Sequence, residues 1–342
     1  MEFTVSVDLP GSEPRRLRYM DSGDPDGRPV VLLHGTPGSR LGPFPNEAML
    51  YRNSIRLITY DRPGYGGSDR MVKRQVGDAA ADVERIADAL GLERFGVAGR
   101  SGGGPHALAC AAALPGRVTR CASLVSLAPY RAEGLDWTAG MVESNRRAYA
   151  EAAEYGLSEV EASLCQKRSA IAGEDRSGGA TAVAERPSAQ AAAAAAERPT
   201  TAERPAEQPQ AAERSTVDGG RMLRRMDSEW HSTDRAVAMN PELSRQLQAT
   251  FQEALRTDTA GWADDVMSFV SDWGFDPAEI DTDRVDVLLY HGSEDIYSPA
   301  SHSRWLSSRI RGSRLWIEPG VSHFDNLRRL PELLVWVANG DA

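Results

Sequence analysis

The sequence is short of cysteine, of aromatic residues and of long apolar runs, and each shortage excludes something. Its cysteines are Cys110, Cys121 and Cys165, with no Cys-x-x-Cys spacing. Such an odd, sparse set reads as reduced thiols, not as a disulfide framework. No uninterrupted apolar stretch approaches the roughly 18 residues that a membrane span needs. The start, Met1 to Asp8, alternates apolar and polar residues like a strand and lacks the basic and apolar regions of a secretion signal. A cytoplasmic protein without a membrane partner is therefore expected. Lys and Arg number 39 against 49 Asp and Glu, for a net charge of −10 with no basic stripe, which argues against nucleic acid as a partner. No ligand cluster suggests a metal, and no cofactor is expected.

What is present is an alternation of short apolar runs and helical patterns. Residues 3–20 read as a β-hairpin turning at Pro10-Gly11-Ser12, followed by a loop from Asp21 to Arg28. Pro29 to Leu33 is a continuous apolar run, as in a strand covered on both faces of a parallel sheet. A helix is expected over 41–53, a strand over Ile55–Tyr60, a helix over Gln75–Leu90 and a strand from Phe95. The helix after that strand begins at Ala107, and Val118 to Leu127 forms the next strand. Strands and helices in this order signal an α/β fold with a mostly parallel sheet and right-handed crossovers.

Between Pro129 and about Ser271 the alternation stops. Helical stretches appear at 141–155, 158–171, 220–238 and 241–256, with no convincing strand. From about 173 to 219 lies a tract without a single aromatic residue, repeating Ala-Glu-Arg-Pro at 184–187, 196–199 and 202–205. Proline after each Glu-Arg pair breaks any helix, so the tract reads as disordered or as a semi-rigid tether. A partly helical hairpin over its alanines is the alternative. Alternation returns with a strand at 285–290, a helix at 299–310, a strand at 313–317 and a closing helix to about Val337. The division is then 1–130 and 280–342 as two parts of one core, with 131–279 as a helical insertion.

The chemistry centres on Gly99-Arg100-Ser101-Gly102-Gly103, a G-x-S-x-G turn between a strand and a helix, the context of a nucleophile elbow. A serine hydroxyl needs a base in contact, and the base needs a group to orient it. In an open parallel sheet the loops at the carboxyl ends of the strands share one edge. Ser101, Asp295 and His323 each follow a strand, so all three can reach that edge. His34, His106, His231, His291 and His302 compete less well, being placed to shape loops, pack within helices or sit in the insertion. Glu294 is the acid that competes with Asp295. Two oxyanion donors are expected: the Gly102 N–H and, since Pro37 has no N–H, that of Thr36. Arg100 either meets a substrate carboxylate or braces the sheet. Carboxylate patches such as Asp264-Asp265 are expected on solvated helix faces.

On four stretches the chain resembles the α/β-hydrolase superfamily. These are His34-Gly35-Thr36-Pro37-Gly38, Asp61 to Ser68, the Gly99–Gly103 turn, and His291 to Asp295 with His323. The resemblance covers roughly 1–130 and 280–342, and it implies an α/β-hydrolase fold in which the insertion is a cap domain. The Ala-Glu-Arg-Pro tract departs from that pattern. A serine at 101 closes the aspartate- and cysteine-nucleophile branches. The expectation is a serine hydrolase cleaving an ester or related acyl bond of a small molecule. The cap, with Trp137, Met141, Tyr149, Tyr155, Met226, Trp230, Trp262, Met267, Phe269 and Trp273, would supply an apolar pocket. The His-Gly-x-Pro-Gly turn also resembles that of proline iminopeptidases, which would need Glu143, Glu151, Glu154 or Glu229 to hold a substrate amine. Carbon–carbon bond hydrolysis, perhydrolysis on the same triad, and a catalytically silent binding protein remain open.

Overall fold

The computed structural model describes residues 1–7, 14–172 and 217–340. The hairpin turn expected at 10–12 and nearly all of the Ala-Glu-Arg-Pro tract lie outside these residues. The first half of the chain forms β1 (Glu2–Val7), β2 (Arg15–Gly23), β3 (Arg28–Leu33), α1 (Glu47–Arg52), β4 (Ile55–Tyr60), α2 (Ala79–Ala89), β5 (Phe95–Arg100), α3 (Gly103–Ala113) and β6 (Val118–Leu124). The insertion forms α4 (Glu143–Tyr155), α5 (Leu157–Ala172), α6 (Gly219–Met226), α7 (Ser232–Met239), α8 (Pro241–Ala254) and α9 (Ala260–Val270). The chain then closes with β7 (Asp286–Gly292), α10 (Ser301–Arg309), β8 (Arg314–Glu318) and α11 (Leu330–Asn339).

The eight strands make one sheet in the order β1-β2-β4-β3-β5-β6-β7-β8. β1 and β2 pair antiparallel, as do β2 and β4, and every later pairing is parallel. Apolar residues run continuously through β3 because both its faces are covered. Val30 and Leu32 belong to the cluster that includes Leu333, Leu334 and Val337 of α11. Val31 and Leu33 belong to the cluster with Val83 and Ile86 of α2 and Leu108 of α3. A third cluster lies largely in the insertion, where Trp137, Tyr149, Leu164, Phe269 and Trp273 pack together.

Local expectations differ from the structure in a few places, each with a reason. The helix expected over 41–53 starts only at Glu47. Pro43 and Pro45 disfavour helical geometry in the residue before each, and the Asn46 side chain accepts from Met49 N as the cap. β2 extends to Gly23 because Asp21 to Gly23 pair with β4 instead of looping. The strand expected to Leu127 stops at Leu124. The helix expected over 220–238 is broken at 227–231, where a short 3-10 turn and the His231 cap intervene. α9 is an additional helix.

Candidate active site

The parallel strands deliver their carboxyl ends to one edge. The loops after β3, β5, β6, β7 and β8 carry Thr36, Ser101, Leu127, Asp295 with Ser298, and His323 respectively. Ser101 sits at φ +54°, a left-handed conformation uncommon for a residue with a side chain. Its backbone is pinned from both sides: Ser101 N donates to Leu124 O (2.8 Å) and Gly104 N to Ser101 O (2.8 Å). The turn closes this tightly because a Cβ on Gly99 would strike Gly103 O, and one on Gly103 would strike Leu33 O.

The β7 and β8 loops are tied to each other: Glu294 N donates to Val321 O (2.9 Å) and Ser293 N to Glu318 O (2.9 Å). That tie brings Asp295 Oδ2 to 2.8 Å from His323 Nδ1. The other carboxylate oxygen accepts from Tyr297 N (2.8 Å) and Ser298 N (2.9 Å), and His291 Nε2 lies 3.4 Å from Oδ2. Burial alone would raise the Asp295 carboxyl. The charge of His323 and hydrogen bonds from both histidines outweigh that and hold it far below the usual carboxylate range. Glu294 is exposed, and its carboxylate accepts from Ser293 Oγ (3.0 Å).

Ser101, Gly102, Thr36 and His323 all line one cavity of about 330 Å³. Thr36 and Gly102 are immediate neighbours: a Cβ on Gly102 would strike the Thr36 hydroxyl. Helices α4, α5, α6, α8 and α9 of the insertion form the opposite wall. Of the aromatic and methionine side chains expected there, Tyr149, Met226 and Trp262 line the cavity. Trp137 and Trp273 are buried elsewhere and Tyr155 is exposed. Arg100 also lines the cavity, yet its guanidinium is engaged below, donating to His323 O (2.6 Å) and Asn326 Oδ1 (3.2 Å). Burial lowers its pKa to about 10.

Two aspartates of the insertion hold the core loops, and sequence reasoning missed both. Asp265 of α9 is fully buried, not on a solvated face, and Asp264 is buried with it. Asp265 accepts from Arg62 Nη2 (2.5 Å), Arg74 Nη2 (2.5 Å), Tyr65 Oη (2.8 Å) and Thr36 Oγ1 (2.5 Å). Burial would raise this carboxyl, but the two guanidinium groups dominate and hold it well below the ordinary value. Asp234 of α7 accepts from Ser322 Oγ (2.5 Å), Phe324 N (2.6 Å) and Asp325 N (3.1 Å), bracketing His323 on both sides. The one signal for either residue was an acidic side chain within an apolar helical pattern, as at Ala263 to Val266.

A family model described as alpha/beta hydrolase fold matches residues 28–329. The proline iminopeptidase of Xylella fastidiosa (strain 9a5c) is 36% identical over 110 residues, covering 30% of this chain and 34% of that protein. The match thus spans about a third of that curated relative. Among solved structures, the enol-lactonase from Burkholderia xenovorans LB400 aligns with a TM-score of 0.56 at 17% identity, covering 98% of each chain. The bromoperoxidase from Bacillus anthracis aligns at 0.59 and 17%, covering 98% of this chain and 99% of that one. At such identities these two alignments speak for the fold alone.

Proposed function

The chain belongs to the α/β-hydrolase fold family, and from that premise we propose that it is a serine hydrolase cleaving an ester or related acyl bond through Ser101, His323 and Asp295. The observation that carries the reading is Ser101 held at φ +54° on the wall of the cavity that His323 also lines, with Asp295 2.8 Å from His323 Nδ1. With Nδ1 engaged by the carboxylate, Nε2 is the nitrogen left to take the serine proton. Attack by Ser101 Oγ on the acyl carbon places negative charge on its oxygen, which the N–H groups of Thr36 and Gly102 receive. His323 then returns the proton to the leaving group, and water, activated by the same imidazole, releases the acid from Ser101. Residues 131–279 act as the cap that closes the site. The three unpaired thiols suit action in the cytoplasm.

Labelling with a fluorophosphonate tests this reading. Wild type should label and cleave short p-nitrophenyl esters, and Ser101→Ala should do neither. A wild type that neither labels nor cleaves overturns it. A second reading, an aminopeptidase like the proline iminopeptidases, is favoured by the curated relative and by Glu229, a carboxylate on the cavity wall. It predicts that prolyl arylamides are cleaved with a higher kcat/KM than esters.

A further inference from the structure

The protein is acidic overall, at −10, but its cavity is not. Among the described residues, the formally charged side chains that line it, His323 aside, are Arg100, Lys167, Arg225 and Glu229, three cations against one carboxylate. Other buried cations of the fold have carboxylate partners. Arg40 meets Asp61 and Glu253, Arg62 and Arg74 meet Asp265, and Arg15 meets Asp82. The cavity cations do not share that arrangement. Arg100 is held directly by a carbonyl and an amide oxygen, and the Asp295 and Asp234 carboxylates act on its charge without pairing with it.

Lys167 of α5 is the clearest case. Among the described residues it makes no ion pair, and its Nζ lies 6.0 Å from the centroid of Trp262. The same wall carries Leu164, Ile171 and Met222, so the ammonium stands beside apolar groups that solvate it poorly. Burial lowers its pKa, with Glu151 and Glu229 opposing only from a distance. Glu229 is itself occupied, accepting from Ser144 Oγ at 2.7 Å. Arg225 of α6, exposed and likewise without an ion-pair partner among the described residues, stands on the same cavity. An anion entering with the substrate would supply the missing partner, in surroundings where a charge-assisted contact is stronger than in water.

We propose that the substrate carries a free carboxylate in addition to the bond that is cleaved, as in a monoester of a small dicarboxylic acid, and that Lys167 receives this carboxylate with Arg225 beside it. The proposal rests on the serine-hydrolase reading above. Lys167 takes no part in bond cleavage; it sets which acyl group is accepted, so its effect falls on KM more than on kcat.

The test compares two p-nitrophenyl esters of equal chain length, the valerate and the hemiglutarate, with the hemisuccinate and hemiadipate to bracket the reach. Wild type should favour a hemiester in kcat/KM by about tenfold or more, and the preference should shrink at high salt. Lys167→Met should abolish the preference through KM, and Lys167→Glu should turn it toward an acyl chain ending in trimethylammonium. A preference for the neutral ester at every chain length, or one unchanged in Lys167→Met, overturns the proposal. A second measurement needs no turnover: glutarate should bind Ser101→Ala more tightly than glutaramide does, and Lys167→Met added to that variant should remove the difference. If wild type neither labels with fluorophosphonate nor cleaves any ester, the hydrolase reading has failed. The carboxylate site then stands or falls on glutarate binding alone.

Discussion

Replacing Asp265 by asparagine probes the link between the insertion and the proposed oxyanion loop. The carboxylate is fully buried and balances two guanidinium groups, while its Oδ2 also accepts from Tyr65 and Thr36. Asparagine keeps the shape but removes the charge, and it turns one acceptor into a donor facing other donors. Breaking a buried pair from one side costs roughly 3–5 kcal/mol. The lower end fits here, because Arg62 keeps Gly35 O (3.1 Å) and Arg74 keeps Gly261 O (3.2 Å) as acceptors. At about 2–4 °C per kcal/mol for domains of 150–250 residues, the melting temperature should fall by several degrees. Catalysis should suffer separately. With its hydroxyl released, Thr36 no longer holds its N–H in register, and the limit of that loss is the ~10²–10³-fold in kcat that one oxyanion donor is worth.

Differential scanning fluorimetry and steady-state ester hydrolysis check the two effects. Thr36→Val, which removes only the hydroxyl, should lower kcat with a smaller melting shift, and Thr36→Ser should restore it. The carboxyl of Asp265 is depressed in the fold, so its stabilisation is present above the ordinary carboxylate range and is lost as pH falls toward the folded value. Asp265→Asn should therefore flatten the acid side of the stability profile. A variant melting within about 2 °C of wild type with unchanged kcat would refute the reasoning.

Three other outcomes are expected. Burial depresses His106 to about 3 and His302 to about 4, so at pH 4–6 the unfolded chain binds protons that the native state does not. Stability should then drop below about pH 6.5, by up to roughly 1.4 kcal/mol per pH unit for each histidine; equal urea midpoints at pH 7.5 and 5 would contradict this. Gly103→Ala should be insoluble or unreactive to fluorophosphonate, since its Cβ meets Leu33 O and His34 O, whereas Gly116→Ala, with nothing within 4 Å, should behave as wild type. Arg100→Met, which removes the donor to His323 O, should lower kcat for a neutral ester by about tenfold; a rise in KM for carboxylate esters alone would instead make Arg100 a substrate contact.

Much of the core was legible because its signals are local. A strand covered on both faces is largely apolar, which marked β3, and Ile55–Tyr60 and Phe95–Arg100 were legible as strands by the same rule. The G-x-S-x-G turn announces its own geometry, since only glycines tolerate the closeness at 99 and 103. Placement after strands was likewise enough to put Ser101, Asp295 and His323 on one edge. Boundaries were less secure where a partner decides them: β2 runs on to Gly23 because β4 is there to pair with it.

The amino-acid sequence by itself marked the strands, the serine turn and the strand-end loops, because each carries a local pattern of residue types. Tertiary structure alone decided what holds and surrounds them. Asp265 reaches Thr36 across 229 positions and Asp234 reaches Ser322 across 88, so no nearby residue names the partner of either. Lys167 reads as an ordinary helix-surface lysine until α5 is folded against Trp262 and the cavity. Charge and burial are properties of the surroundings, and for these three residues the surroundings come from segments distant in the chain.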